Sequence, residues 1–195
     1  KFRSAEAVRG LVGFSHVWLV FGFHKTEGEG WRPTVRPPRL GGNERVGVFA
    51  SRSTYRPNGL GLSLVRLDRI AMEREEGMEP PVLHFSGVDL VDGTPVYDLK
   101  PYLPFIEAPP DAKGGYAAKP PERVEVKVDP AAEEDFNKLP ERSGRLILEV
   151  LSLNPRPAAS PNEDGKLHGA VLCGKNVRFR FDSGTFWITG IEEIR

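Results

Sequence analysis

The sequence predicts a mainly β fold followed by a smaller α+β C-terminal domain. Its 21 glycines and 18 prolines are a density that favours turns over long helices. Before residue 105 the apolar residues fall in short β-branched and aromatic runs, the pattern of buried strands. Between 103 and 123 seven prolines and glycines interrupt the chain and no apolar period survives. The residue texture changes after it, which marks a domain boundary. The resulting division is a domain over 1–105, a linker over 106–123 and a small C-terminal domain over 124–195.

The elements follow in chain order. Residues 1–13 suit a short helical turn capped by Ser4, with Glu6 in its first turn. Val17 to Phe23 is a fully buried strand that ends at His24-Lys25, where binding residues commonly stand. Val46 to Ala50 is compact and apolar enough for a second strand, and Ser53 to Gly59 makes a turn around Pro57-Asn58-Gly59. Leu60 to Ile70 reads as a long strand with a bulge, so that a hairpin places Arg52 and Arg56 at a rim. Val82 to Val88 is another strand. Asp92-Gly93 then gives the strongest short hairpin signal, because its second residue needs positive φ. Val96 to Tyr102 is an edge strand whose ladder stops at Pro101.

Past the linker, Val124, Val126 and Val128 alternate with charges as a half-buried strand. Pro130 to Leu139 is helical with Pro130 near its first position. Leu146 to Leu153 carries apolar residues at helical spacing, and Val177–Phe181 with Thr185–Ile191 forms a terminal hairpin that puts Arg178 and Arg180 on one face.

Composition excludes several functions. One cysteine, Cys173, forms no internal disulfide, and with four scattered histidines no metal centre is expected. The longest apolar run, Val17 to Phe23, is far too short to span a bilayer. No signal peptide is visible, so a cytoplasmic protein is expected. Neither a dinucleotide fingerprint nor a phosphate-cradling lysine loop is present, and no serine sits on a nucleophile elbow. Asp89 and Asp92, three apart across a tight turn, are either a catalytic pair or turn-forming residues.

Charge is the most informative feature. The chain holds 27 basic and 27 acidic residues, yet Trp31 to Ser63 has six arginines (Arg32, Arg36, Arg39, Arg45, Arg52, Arg56) against Glu44 alone. The arginine fork suits phosphates and base edges. From the residues alone this is a binding rim beside a tight acidic turn, its ligand unnamed.

Three segments narrow that reading: EAVRGLVGFSHVWLVFGFHK (6–25), WRPTVRPPRLGGNERVGVFASRSTYRPNGLGLSLV (31–65) and LVDGTPVYDLKPYLPF (90–105). Together, in this order, they resemble the TsaA-like (TrmO) family, in particular its bacterial branch. Weaker similarity continues through Asn154-Pro155-Arg156-Pro157 and Asn176-Val177-Arg178-Phe179. The resemblance implies a single-sheet β-barrel holding S-adenosylmethionine, a smaller C-terminal domain, and a homodimer with the cofactor near the subunit interface. It implies a tRNA methyltransferase acting on N6 of threonylcarbamoyladenosine (t6A) at position 37, next to the anticodon of threonine tRNA. Two other functions stay open, a non-catalytic tRNA-binding module of the same fold and a small-molecule methyltransferase.

Carried over by position, the cofactor residues are His24, Lys25, Arg52, Leu62, Leu90, Val91, Asp92, Gly93 and Thr94. Arg52 suits the methionyl carboxylate as a bidentate partner, and Asp92 the sulfonium or the amino group. Arg32, Arg36, Arg39 and Arg56, with Arg178 and Arg180 of the second domain, are the candidates for RNA contacts, although Arg56 suits either ligand. For the catalytic base, Tyr55, Asp92 and the substrate's own carboxylate stand as alternatives. The chain departs from bacterial relatives at Lys25, where Gln is usual, and at Gly59, where Pro is usual. The family also carries a leading strand and a Pro-Arg-Gln cofactor segment that this sequence does not contain.

Overall fold

The computed structural model describes residues 4–40, 44–155 and 165–194. Among these the chain divides into two compact units, residues 1–37 with 45–113, and residues 38–44 with 114–195. Arg156 and Pro157 of the Asn-Pro-Arg-Pro motif lie outside the described residues.

The first unit is built on a four-stranded antiparallel sheet of β1 (His16–Gly22), β4 (Leu60–Ala71), β5 (Val82–Ser86) and β6 (Val96–Pro101), in the order β5-β4-β1-β6. Alternation sets its two faces. Val17, Leu19 and Phe21 of β1 and Val65 of β4 form the core, against which Leu11, Phe23, Phe85, Leu90 and Leu99 pack. On β4 the inward set is Gly61, Ser63, Val65 and Leu67, whereas Leu60, Leu62 and Leu64 face out and are 44%, 50% and 38% exposed. The register of β4 against β5 slips between Leu67 and Arg69, the bulge that the sequence suggested.

The single-sheet barrel does not form. The described strands make three separate sheets, the third being the ribbon of β2 (Thr34–Val35) and β3 (Val46–Gly47), and none of them closes. Closure requires the two edge strands of a sheet to pair, but β5 and β6 remain edges. The segment Val46 to Ala50 adds no strand to this sheet. Only Val46–Gly47 is extended, and Val48–Ala50 turns as a 3₁₀ helix that buries Val48 and leaves Phe49 75% exposed. The hairpin expected to carry Arg52 and Arg56 is therefore absent.

A second correction concerns Asp92-Gly93. Because β5 pairs with β4 and β6 with β1, residues 87–95 are not a hairpin but a crossing from one edge of the sheet to the other. The tight turn exists within it: Thr94 donates from N and Oγ1 to Val91 O at 3.1 and 2.6 Å, and Gly93 has φ +77°.

The second unit packs a helix on a sheet, which makes the whole chain mixed α/β and not mainly β. Strands β7 (Glu125–Val128), β8 (Leu167–Leu172), β9 (Lys175–Asp182) and β10 (Thr185–Glu193) run in the order β7-β10-β9-β8, with β7 parallel to β10. Short helix α2 (Glu133–Asn137) precedes α3 (Glu141–Ser152), whereas the other short helix, α1 (Pro104–Glu107), belongs to the first unit. Gly144, Ile147 and Leu151 lie at i, i+3 and i+7, one helical face, and are buried. Ile147 and Leu151 join Val177, Phe179, Phe186 and Ile188 in one core. Asp129 Oδ1 accepts from Ala131 N at 3.1 Å and opens the turn at Pro130. No described helix is long and apolar enough to cross a membrane.

Candidate functional site

The first unit contains a cavity of about 400 Å³ at one end of its sheet, within the size range of small-ligand sites. Its base is the close of β1, Phe21 and Gly22, and the opening of β4, Leu60 to Ser63. One residue past β1, Phe23 N still bonds to Gly59 O at 2.9 Å, and the chain then turns as a 3₁₀ helix over His24–Thr26 that forms one wall. Ser51, Arg52, Thr54 and Arg56 form a second wall, and the crossing residues Asp89, Leu90, Val91 and Thr94 a third.

Local contacts explain why these walls stand where they do. Gly61 allows the Phe21 ring to lie directly on the β4 backbone; a Cβ there would sit 2.3 Å from Phe21 Cζ. Phe23 then meets Phe21 edge-on at 5.3 Å between centroids. Ser63, at 5% exposed the only buried polar residue of the described core, donates from Oγ to Asp89 Oδ1 at 2.6 Å. That bond ties the crossing to the central strand. Arg56 Nη1 donates to Val48 O and Ser51 O at 3.1 and 2.7 Å, which holds the second wall together.

The Trp31–Ser63 stretch is electropositive for a specific reason. Among the described residues none of Arg32, Arg36, Arg39, Arg45, Arg52 and Arg56 lies in ion-pair distance of a carboxylate, although arginines 9, 66, 69, 74, 123, 178 and 180 all do. Unneutralised arginines attract anions over distances set by ionic strength. Arg32 rests on the Tyr55 ring at 4.1 Å, and Arg45 donates to Thr34 Oγ1 at 3.0 Å. Among the described residues Arg52 has no hydrogen-bond or ion-pair partner, so its donors are open to a ligand in the cavity.

The structure brings most of the sequence-derived cofactor residues to one place. His24, Lys25, Arg52, Leu62, Leu90, Val91 and Thr94 all line the cavity, as does Arg56. Asp92 and Gly93 belong to the crossing turn but not to the lining, and Tyr55 lies beneath Arg32, outside it. Arg32 and Arg36 are exposed on the first unit, whereas Arg39 belongs to the second, where it donates to Lys119 O at 3.1 Å. Arg178 and Arg180 also stand on the second unit, paired with Glu192 at 2.9 Å and Asp129 at 3.4 Å.

The Ser63–Asp89 pair was not anticipated. Its signal is a serine at an inward position of an otherwise apolar alternation, where a polar group needs a partner. No group of three or more His, Cys, Asp or Glu that could hold a metal occurs among the described residues.

Comparison with known proteins places this geometry in context. The family model for the tRNA-methyltransferase O N-terminal domain matches residues 1–108, and that for the TrmO C-terminal domain matches residues 121–194. A tRNA (adenine(37)-N6)-methyltransferase of Escherichia coli K12 is 46% identical over 196 residues, covering 98% of this chain and 82% of that protein. A putative S-adenosylmethionine-dependent methyltransferase, RcsF, of Pseudomonas aeruginosa is 43% identical over 92% of this chain and 76% of its own length. The crystal structure of a P. aeruginosa TrmO superposes with a TM-score of 0.69 at 34% identity, covering 98% of this chain and 78% of that one.

Proposed function

The chain belongs to the TrmO family, and we propose from that membership that the cavity of its first unit is the cofactor site of a tRNA (adenine(37)-N6)-methyltransferase. The chain is an S-adenosylmethionine-dependent enzyme of that family acting on tRNA. The observation that carries the site assignment is the convergence of Arg52, Asp89 and an apolar wall on one 400 Å³ cavity within the segment matched by the N-terminal family model.

The donor set fits the cofactor. It has a carboxylate, an ammonium, a sulfonium and an adenine ring, and the cavity offers a complement to each. Arg52 takes the carboxylate through its fork. Asp89, held by Ser63, offers the negative charge for the cationic groups, the role that the resemblance assigned to Asp92. Phe21, Phe23, Leu90 and Val91 supply the apolar surface for a purine, and the backbone of the crossing turn supplies polar groups for its edge. When bound, S-adenosylmethionine supplies an electrophilic methyl group on sulfur. The chain's own work is to orient that group, exclude water and hold the acceptor in line, which is where most of the rate gain of such a displacement arises. Neither Tyr55 nor Asp92 faces the cavity, so the acceptor's N6 proton leaves to the substrate's own carboxylate or to a group delivered with the RNA.

In this reading the acceptor is the t6A of threonine tRNA, a base whose N6 substituent ends in a carboxylate and therefore suits an arginine-lined site. Arg32 and Arg36 contact the RNA backbone from the first unit, and Arg39, Arg178 and Arg180 from the second. The protein acts in the cytoplasm as a homodimer. The outward stripe of Leu60, Leu62 and Leu64, whose first two residues also line the cavity, supports that assembly, because contiguous exposed apolar surface marks interfaces. Titration of the protein with S-adenosylmethionine, followed by methyl transfer to purified threonine tRNA, tests the reading. Saturable binding and one methyl per tRNA are expected, and absence of cofactor binding refutes it.

A further inference from the structure

A second cavity, of about 270 Å³, adjoins the first. The two share Gly22, Phe23, His24, Thr26, Thr54 and Arg56 as walls. We infer that this second cavity is the compartment that receives the acceptor adenine, with Trp31 and Tyr97 as stacking surfaces, Asn58 as the reader of the base edge and Arg56 as the contact for an anionic N6 substituent. The inference rests on the assignment of the first cavity to the cofactor.

Adjacency is the first argument. Group transfer requires the acceptor atom to come within about 3–3.5 Å of the transferred carbon, so the acceptor compartment must share walls with the cofactor's. Six shared residues satisfy that condition. Size is the second, since this cavity is the smaller of the two and suits one flat ring system better than a whole cofactor.

Chemistry is the third argument. Trp31 is 54% exposed and makes no hydrogen bond or ring contact among the described residues. Tyr97, 60% exposed, lies over the bare backbone of Gly22, where a Cβ would sit 2.4 Å from its hydroxyl oxygen. Two unoccupied aromatic faces beside one cavity are the usual means of holding an unstacked base. Asn58 is exposed on its turn and has no side-chain partner among the described residues, so its amide offers both a donor and an acceptor to the adenine edge.

Arg56 spends Nη1 on Val48 O and Ser51 O and keeps Nε and Nη2 free at the wall common to both cavities. Arg56 therefore serves the acceptor side while its backbone contacts shape the cofactor side.

The test uses the full chain, with Trp31→Ala and Asn58→Ala as variants, because both residues are exposed and neither supports the core. The probe is an anticodon stem-loop RNA carrying the t6A base. Trp31→Ala is expected to weaken binding of that RNA roughly tenfold, the loss typical of one stacking contact. The salt dependence of binding is expected to stay at the wild-type slope, because no phosphate contact is removed, and cofactor affinity is expected to stay unchanged. Asn58→Ala is expected to lower kcat/KM for the RNA with the same unchanged cofactor affinity. Wild-type RNA binding and turnover in both variants, or a reduced salt slope in Trp31→Ala, overturns the assignment while leaving the function intact. A wild-type protein that binds no cofactor overturns the function itself, which separates the two failures.

Discussion

Replacing Ser63 by alanine removes the side-chain hydrogen bond that ties Asp89, in the crossing segment 87–95, to β4 beneath the cavity. The bond joins a hydroxyl to a carboxylate at 2.6 Å, a class that contributes about 1.5–3 kcal/mol. Asp89 itself is exposed and regains water when released, so the lower figure applies. If the tether is what holds Leu90, Val91 and Thr94 in the binding-competent position, its loss reduces the competent fraction, and apparent affinity falls in proportion. A change of about 1.4 kcal/mol corresponds to about tenfold in Kd. Titration calorimetry with S-adenosylmethionine on wild type, Ser63→Ala and Asp89→Asn measures this. Asp89→Asn keeps an acceptor for Ser63 and removes only the charge, so it separates tethering from electrostatics. Ser63→Ala with wild-type affinity and wild-type melting temperature refutes the tether.

Other consequences are checked separately. Arg52→Ala removes a cavity guanidinium that has no partner among the described residues and is expected to weaken cofactor binding about tenfold or more, with a smaller change in tRNA affinity at fixed salt; equal losses mean that Arg52 belongs to the RNA surface. Glu75 accepts both guanidinium bonds of Arg69, at 2.9 and 3.0 Å, and lies 2.7 Å from His84 Nε2. Arg69 first, and His84 second, hold its carboxyl below the usual carboxylate range. A depressed folded value contributes stability above the ordinary value of about 4.3 and loses it as pH falls through the folded one. Thermal melts of Glu75→Gln are therefore expected to fall below wild type at pH 7 and to converge with it in strong acid.

Much of the fold was readable because alternation is a local signal. β1, β4, β5, β6, β9 and β10 each stand where short β-branched and aromatic runs placed a strand, and the helical spacing of Ile147 and Leu151 led to α3. What was not readable is pairing, which depends on distant segments. Asp92-Gly93 forms the tight turn its residues demand, but nothing local tells whether the flanking strands pair with each other or cross the sheet. The barrel failed for the same reason: strand identity does not determine edge closure. β8 (LHGAVL) escaped notice because Gly169 and Ala170 blunt its alternation. At the site, Arg52 and the 90–94 turn followed from family resemblance. The sequence leaves Asp89 as either half of a catalytic pair or a turn former, and the structure gives it Ser63 as a partner across the sheet.

This TrmO-family enzyme transfers a methyl group from S-adenosylmethionine to the N6 of adenine in tRNA. Mass spectrometry of nucleosides from threonine tRNA tests it most directly, comparing a strain that carries the protein with one that lacks it. The N6-methylated t6A is expected to disappear without the protein, unmethylated t6A to replace it, and the wild-type chain to restore the methyl group. The same modified nucleoside at the same level in both strains contradicts it.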